Sequence, residues 1–121
     1  MNKMQLSLTL TAAALLNVPG FSQANELGRQ LVERGNCVAC HGPGLNRPAD
    51  RAVPQLAGQH SDYLRAAMRS YQIEGNPIVG RDHPTMKAIF KPYSPAEIDA
   101  LAGYIEQLPR TIHTKTQSGF R

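Results

Sequence analysis

The stretch Cys37-Val38-Ala39-Cys40-His41 decides how this sequence is interpreted. Two intervening residues place the thiols about one helical turn apart, and a histidine directly follows the second cysteine. This spacing is the pattern for covalent attachment of c-type haem, in which each thiol adds to one haem vinyl group as a thioether. The imidazole of His41 then lies under the iron as the proximal axial ligand. The stretch therefore predicts one covalently bound haem c, attached through Cys37 and Cys40.

Three other uses of a cysteine pair compete with this interpretation. A thioredoxin-like dithiol belongs in a βαβ context, and no alternating strand pattern occurs along this chain. A structural zinc site needs four ligands at metal spacings, whereas the chain has only 2 cysteines. A plain disulfide between Cys37 and Cys40 stays open for an oxidising compartment, but it gives no role to His41.

The sixth iron ligand must come from elsewhere, and Met86 is the expected one. It follows Pro84 in a Gly/Pro-rich stretch, residues 75–91, which we interpret as an irregular loop. A loop this far beyond His41 can pass around the haem edge and offer a sulfur from the opposite face. The main rival is His83, since it lies in the same loop and imidazole is also a good iron ligand. The remaining candidates are not expected to bind iron. Met68 falls on an apolar helical stripe, where methionine ordinarily fills the core. Two histidines, His60 and His113, are expected to be solvated.

Residues 1–24 predict a secretory signal peptide. Lys3 supplies the positive charge, residues 6–16 are apolar, and Pro19-Gly20 interrupts any helix before Ser22-Gln23-Ala24. That last triplet fits an A-x-A-like cleavage site, and the apolar run is too short for a membrane-spanning helix. We therefore expect export to the periplasm and cleavage after Ala24.

The rest of the 121 residues is expected to form one domain, residues 25–109, and a polar, flexible C-terminal tail, residues 110–121. The formal charge of +4 is dispersed along the chain. A nucleic-acid-binding protein would usually concentrate its basic residues on one face or helix. The charge pattern therefore argues against that class.

Three helices and no strands are predicted. The first spans residues 26–34, with Asn25 as its N-cap, Leu27 and Leu31 on its inner face, and Gly35-Asn36 at its end. The second begins at an N-cap provided by Ser61 or Asp62 and ends at about Ile73. Its apolar residues recur at helical spacing and form one stripe, which comprises Leu64, Ala67, Met68 and Tyr71. Two cations, Arg65 and Arg69, are expected to face outward.

The third helix has the strongest start signal in the chain. Ser94-Pro95-Ala96-Glu97 is a capping box with proline at the first helical position. Tyr93 is placed to form a hydrophobic staple with Ile98, and Pro109 ends the helix. Its predicted buried face comprises Ile98, Leu101, Ala102 and Ile105. Three short helices and two long loops make a weak independent core, which indicates that they wrap around the haem.

The sequence resembles the small class I c-type cytochromes of bacteria, in particular the single-domain units whose relatives occur in tandem as di-haem electron carriers. In this class the haem motif follows an N-terminal helix, as it does here. The resemblance covers residues 26–108 and rests on three stretches. The first is Cys37–His41 with Gly42, and the second is Val53-Pro54-Gln55-Leu56-Ala57-Gly58-Gln59 leading into Tyr63-Leu64. The third is Met86 followed by residues 93–98 and 101–105.

The resemblance implies an all-α class I cytochrome c fold, with short helices and long loops around one haem. It makes Cys37 and Cys40 the thioether sites, His41 the proximal ligand and Met86 the distal ligand. One departure is Pro43-Gly44-Leu45, where relatives commonly carry an acidic-glycine turn. We expect this departure to affect a surface loop and not the ligands.

Further roles follow from the same resemblance. Pro54 is expected to fix the proximal imidazole through its backbone carbonyl, with Pro48 as second choice. Gly28 and Tyr104 are expected to mark the crossing of the first and last helices. Arg81 is expected either to pair with a haem propionate or to be solvated.

These observations indicate a periplasmic mono-haem electron carrier that cycles between Fe(III) and Fe(II) and is not an enzyme. Its expected partners are a donor reductase or dehydrogenase and an acceptor oxidase or reductase, without nucleic acid and without stable membrane insertion. One alternative is a haem c subunit of a periplasmic flavoprotein or quinoprotein dehydrogenase, with the segment from Thr111 as its docking element. A second is a ligand-binding haem sensor or peroxidase, which requires Met86 to be absent or displaceable.

Overall fold

A computed structural model describes residues 20–76 and 78–110, with side chains from residue 23 onward. Five α-helices lie in this part of the chain, and a 3-10 turn, Pro43–Leu45, follows the second of them. The helices are α1 (Gly20–Arg34), α2 (Val38–His41), α3 (Ser61–Ser70), α4 (Pro84–Phe90) and α5 (Pro95–Gln107). The described residues contain no strand. The prediction of an all-α chain with long loops is confirmed.

The start of α1 differs from the prediction. The helix begins at Gly20 and not at Asn25, so Asn25 lies inside the helix instead of capping it. Residues 1–19, which carry most of the predicted signal peptide, and residues 111–121 of the predicted tail, including His113, lie outside the described residues.

The inner face of α1 is also rotated relative to the prediction. Leu31 is buried as expected, but Leu27 is 40% exposed, and Val32 is buried in its place. The reason is the contact with α5, because a Cβ atom at Gly28 would overlap the Cβ of Tyr104 and lie 2.7 Å from the Ala100 carbonyl oxygen. The expected crossing of the two helices at Gly28 and Tyr104 is therefore confirmed.

The start of α3 is not capped by its own serine or aspartate. The helix begins at Ser61, after His60, whose side chain makes no capping hydrogen bond. Instead the Ser61 backbone N–H donates to the Glu106 carboxylate of α5 at 3.1 Å. The cap comes from the other end of the chain, so the local sequence could not reveal it. The helix also ends at Ser70, three residues before the expected end.

The four residues of the apolar stripe on α3 all line the cavity described below. Leu64 and Met68 are buried as predicted, whereas Ala67 and Tyr71 are only partly buried. The outward-facing Arg65 and Arg69 both pair with the carboxylate of Asp99 on α5, at 2.8 and 2.9 Å. These ion pairs join α3 to α5 at the surface.

The loop predicted over residues 75–91 is wrong in its second half, because residues 84–90 form α4. Pro84 occupies the first helical position, where its missing N–H costs nothing. Met86, Ile89 and Phe90 follow at i, i+3 and i+4, which places them on one side of the helix. Only Phe90 is fully buried, since Met86 and Ile89 are partly buried against the core.

The prediction for α5 is confirmed in detail. Ser94 and Glu97 form the reciprocal capping box, and Pro95 is the first helical residue. The helix ends at Gln107, two residues before Pro109. The predicted buried face is buried as a whole, with Ile98, Leu101, Ala102 and Ile105 each at most 1% exposed.

The turn at Pro43-Gly44-Leu45 lies at the surface only in part, because Pro43 and Gly44 are exposed as predicted but Leu45 is not. Leu45 is 1% exposed and takes a positive φ of 56°. Its carbonyl oxygen accepts backbone hydrogen bonds from Leu56 and Ala57 at 2.9 and 3.1 Å. The turn therefore anchors the 46–57 loop to the core, which explains why a buried leucine holds a strained backbone conformation here.

The core lies where α1, α3 and α5 meet, and α5 contacts both other helices extensively. Leu31, Leu45, Ile98, Leu101 and Ile105 are its most deeply buried large side chains. None of the helices in the described ranges has the length and apolar character needed to cross a membrane.

Candidate haem site

The end of α1 positions the first cysteine. Asn36 adopts a left-handed conformation with φ 47°, while the Asn36 N–H donates to Glu33 O and the Cys37 N–H to Val32 O. This pair of hydrogen bonds is the Schellman arrangement that ends helices. Cys37 is therefore held by the hydrogen bonds that terminate α1, and α2 starts immediately after it.

The short helix α2 carries the second cysteine and the histidine, which both line the cavity described below. The His41 N–H donates to Cys37 O at 3.0 Å, and the turn then ends at Gly42 with φ 78°. A side chain at Gly42 would overlap the Arg47 backbone, so glycine is required where the chain reverses. Cys37 is partly buried, which raises the pKa of its thiol, whereas Cys40 is exposed.

The ring of His41 is buried and oriented by one hydrogen bond. It is 6% exposed, and its Nδ1 lies 2.8 Å from the carbonyl oxygen of Pro54. Because a carbonyl only accepts, Nδ1 carries the proton, and Nε2 keeps a lone pair for a metal. Pro54, and not Pro48, supplies the carbonyl in this structure.

A cavity of about 310 Å³ lies in front of these residues. Its size is at the lower end of the range usual for ligand sites, about 300–1,000 Å³. One part of its wall carries the two thiols and the imidazole, and the rest is mainly apolar. The apolar lining comes from α3, α4 and α5 and includes Leu64, Met68, Met86, Ile89, Phe90 and Leu101.

All three candidates for the sixth ligand line this cavity. Met86 lies on α4 and is partly buried, whereas Met68 lies on α3 and is 5% exposed within the core. His83 is exposed and is the residue immediately before α4. His60 does not line the cavity; its ring lies 3.7 Å from the Glu106 carboxylate at the surface.

Arg81 lies at the edge of the cavity with two tyrosines. Its guanidinium donates to the hydroxyl of Tyr63 at 3.2 Å and lies 5.8 Å from the ring centroids of both Tyr63 and Tyr71. Sequence reasoning missed this pairing, since Tyr63 and Arg81 are far apart in the chain. Sequence reasoning also assigned no role at the site to Gln59 and Ile89, which line the cavity.

A second set of contacts secures the end of α1 beside Cys37. The buried hydroxyl of Tyr93 donates to Leu31 O at 3.1 Å, and the Arg34 guanidinium lies 4.3 Å from the Tyr93 ring centroid. Arg34 also pairs with Glu97 at 2.7 Å. Its hydrogen bond, together with that from the Ser94 backbone, lowers the pKa of Glu97 from its usual 4.5 to about 2.

The donor set fits a covalently attached haem. Two cysteines and an oriented imidazole line a mainly apolar cavity, as covalent haem attachment requires, and the wall also offers a thioether sulfur. The fold and site therefore define a class of protein, which is a small all-α protein that holds c-type haem.

The comparisons with known proteins identify the family. The family model "Cytochrome c" matches residues 25–109, so the chain belongs to the cytochrome c family. It is a class I c-type cytochrome, and this family carries covalently bound haem c and transfers electrons.

Three curated relatives are similar to the chain. A thiosulfate dehydrogenase electron acceptor from Thiomonas intermedia (strain K12) is 38% identical over 77 residues, which are 63% of this chain and 33% of the relative. A cytochrome c4 from Stutzerimonas stutzeri is 32% identical over 110 residues, 86% of this chain and 50% of the relative. A cytochrome c4 from Azotobacter vinelandii is 31% identical over 72 residues, 60% of this chain and 34% of the relative. The chain thus spans a third to a half of the length of these relatives.

Proposed function

We propose that this chain is an exported mono-haem electron carrier in which His41 and Met86 are the axial ligands of the iron. The observation that supports this most directly is the setting of His41. Its Nδ1 is hydrogen-bonded to Pro54 O, and its ring lines the same cavity as Cys37, Cys40 and Met86.

When bound, haem c supplies the Fe(III)/Fe(II) couple. His41 would bind iron through Nε2, and the hydrogen bond to Pro54 would fix both its tautomer and its orientation. Met86 would offer a soft thioether, which favours reduced iron and raises the potential relative to two imidazoles. With His41 and Met86 both bound, the iron would have no position open to exogenous ligands, which suits electron transfer.

The wall of the cavity is mainly apolar, which suits a redox centre. Apolar side chains from three helices exclude water, which leaves few dipoles to reorganise when the charge changes. Arg81, held beside Tyr63 at 3.2 Å, is the cation we propose for pairing with a haem propionate.

The assignment of Met86 is tested against Met68. We expect Met86→Ala to lower the reduction potential, abolish the methionine–iron absorption band and open the iron to cyanide. Met68 is 5% exposed in the core, so Met68→Ala should reduce stability by about 2–5 kcal/mol while the band persists. Loss of the band in Met68→Ala together with its retention in Met86→Ala would overturn the assignment.

The number of haems is tested by mass. If Cys37 and Cys40 each form one thioether, the mature protein should weigh as much as its polypeptide plus one haem, and haem should stay bound through acidified organic extraction. The same mass measurement locates the processed N-terminus, which we propose is Asn25. A mass that still includes residues 1–24 would contradict cleavage and the periplasmic location.

A second candidate concerns the partner. One relative is named as the electron acceptor of a thiosulfate dehydrogenase, which favours a dehydrogenase as the electron donor of this chain. In this second candidate function, the chain is a permanent haem c subunit of a flavoprotein or quinoprotein dehydrogenase. The native mass of the protein purified from its own host distinguishes a free carrier of about one chain from a larger complex.

A further inference from the structure

The helix that carries Met86 has little support of its own. Helix α4 has 7 residues, and helices this short are not stable in water without tertiary contacts. In the described part of the chain, the extensive helix–helix contacts join α1 to α5 and α3 to α5, and α4 takes part in neither. Other contacts must therefore hold α4 against the cavity.

Those contacts concentrate at the C-terminal end of α4. Phe90, the last residue of the helix, is buried. Its ring stacks on that of Tyr71 with the ring centroids 6.0 Å apart, and it forms an edge-to-face pair with Tyr93 at a centroid distance of 5.4 Å. Phe90 and Met86 are four residues apart, so they lie one turn apart on the same side of α4. The placement of Phe90 therefore sets the placement of Met86.

A single side-chain amide ties this end of α4 to the segment after α3. The Gln72 Nε2 lies 2.8 Å from Phe90 O and 2.8 Å from Tyr93 O. Both partners are carbonyls, so only the NH₂ group of Gln72 can face them, and each of its two hydrogens has one acceptor. These carbonyls lie at and just beyond the end of α4, where backbone acceptors lack partners within the helix. Phe90 O also accepts the Tyr93 N–H at 3.0 Å.

We propose that Gln72 is a positioning residue for Met86, acting through these two hydrogen bonds to hold α4 against the cavity. The proposal rests on Met86 being the distal ligand. Gln72 lies outside α3 and takes no part in the α1–α5 or α3–α5 contacts, and its two hydrogen bonds are partly buried. Its loss should therefore weaken the attachment of α4 while those helix contacts stay in place.

The test uses three substitutions at position 72 in the holoprotein. Gln72→Met keeps the length of the side chain but removes both donors, and Gln72→Glu places a carboxylate against two carbonyls. Gln72→Lys restores donors, and a cation at a helix C-terminus is favourable. The matched control is Glu106→Ala, which removes the cap at the N-terminal end of α3, the end of that helix away from Gln72.

The readout is the affinity of the oxidised protein for imidazole, which must displace the distal ligand to bind. Two lost hydrogen bonds predict about tenfold tighter imidazole binding in Gln72→Met. The effect should be larger in Gln72→Glu and largely reversed in Gln72→Lys. Amide hydrogen exchange should become faster in α4 but not in α5, and Glu106→Ala should reduce stability without changing imidazole affinity.

The outcomes separate this proposal from the ligand assignment. In a Met86→Ala background, Gln72→Met should no longer change imidazole affinity, because Gln72 acts through Met86. If Met86→Ala abolishes the methionine band but Gln72→Met leaves imidazole affinity unchanged, the positioning role alone is wrong. If Met86→Ala keeps the band, the ligand assignment fails first.

Discussion

At the scale of single residues, close approach between backbones matters as much as the haem ligands. Gly28 is the clearest case, since α1 and α5 could not cross at their present distance with any side chain there. Leu45 shows the reverse, because a large side chain tolerates φ 56° in exchange for complete burial and two backbone hydrogen bonds.

Two glycine substitutions test the helix crossing. Gly28→Ala should destabilise the holoprotein by about 1–3 kcal/mol, the usual range for overpacking, because the new methyl group meets Tyr104 and Ala100. Gly103→Ala on α5 is the control, since nothing lies within 4 Å of the added Cβ. It should stabilise the helix by about 0.5–1 kcal/mol. Denaturant unfolding measures both, and equal effects of the two substitutions would contradict the close crossing.

At the scale of elements, the ends of the helices are held by partners from different parts of the chain. The start of α5 is local, through the Ser94 and Glu97 capping box. The start of α3 depends on Glu106, the end of α4 on Gln72, and the end of α1 on the Tyr93 hydroxyl. Of these, the capping box could be identified from neighbouring residues, as could the local part of the α1 end, where Asn36 follows Gly35 in a left-handed conformation.

The paired Glu97 predicts a pH dependence of stability. Its pKa is about 2 in the folded protein against its usual 4.5, with Arg34 as the main cause. A depressed carboxyl pKa stabilises the fold above about pH 4.5, and this stabilisation disappears as the pH falls towards 2. We expect Glu97→Gln to be less stable than the parent at pH 6, with the difference shrinking as the pH falls to 3.

Unfolding curves at several pH values measure this difference. Glu26, whose pKa is also lowered to about 2, mainly by Arg29, provides a second case, and Glu26→Gln should show a pH dependence in the same direction. A difference between Glu97→Gln and the parent that stays constant with pH would contradict the role of the ion pair.

At the scale of the whole molecule, the fold has two unequal halves. One is a packed core where α5 meets α1 and α3. The other is a set of loops and the short helix α4 around a cavity of about 310 Å³. The haem that this family carries would fill that cavity, so it completes the core as well as supplying the redox couple.

Removing both attachment sites tests this dependence. We expect the double variant Cys37→Ala and Cys40→Ala to lack cooperative unfolding, because a domain of this size buries too little surface to offset its chain entropy without haem. Circular dichroism during thermal unfolding gives the measurement. An apoprotein with the same helix content and the same cooperative transition as the holoprotein would contradict it.

The sequence by itself determined the haem motif, the all-α class and α5, because these depend on residues close together in the chain. Cys37, Cys40 and His41 lie within five positions, and the cap and buried face of α5 repeat at helical spacing. The tertiary structure decided the rest: the buried turn at Leu45, the start of α3 at Glu106 and the attachment of α4 through Gln72. Each of these depends on a hydrogen bond or packing contact between distant segments, whose energy appears only when the chain has folded and no local pattern records it.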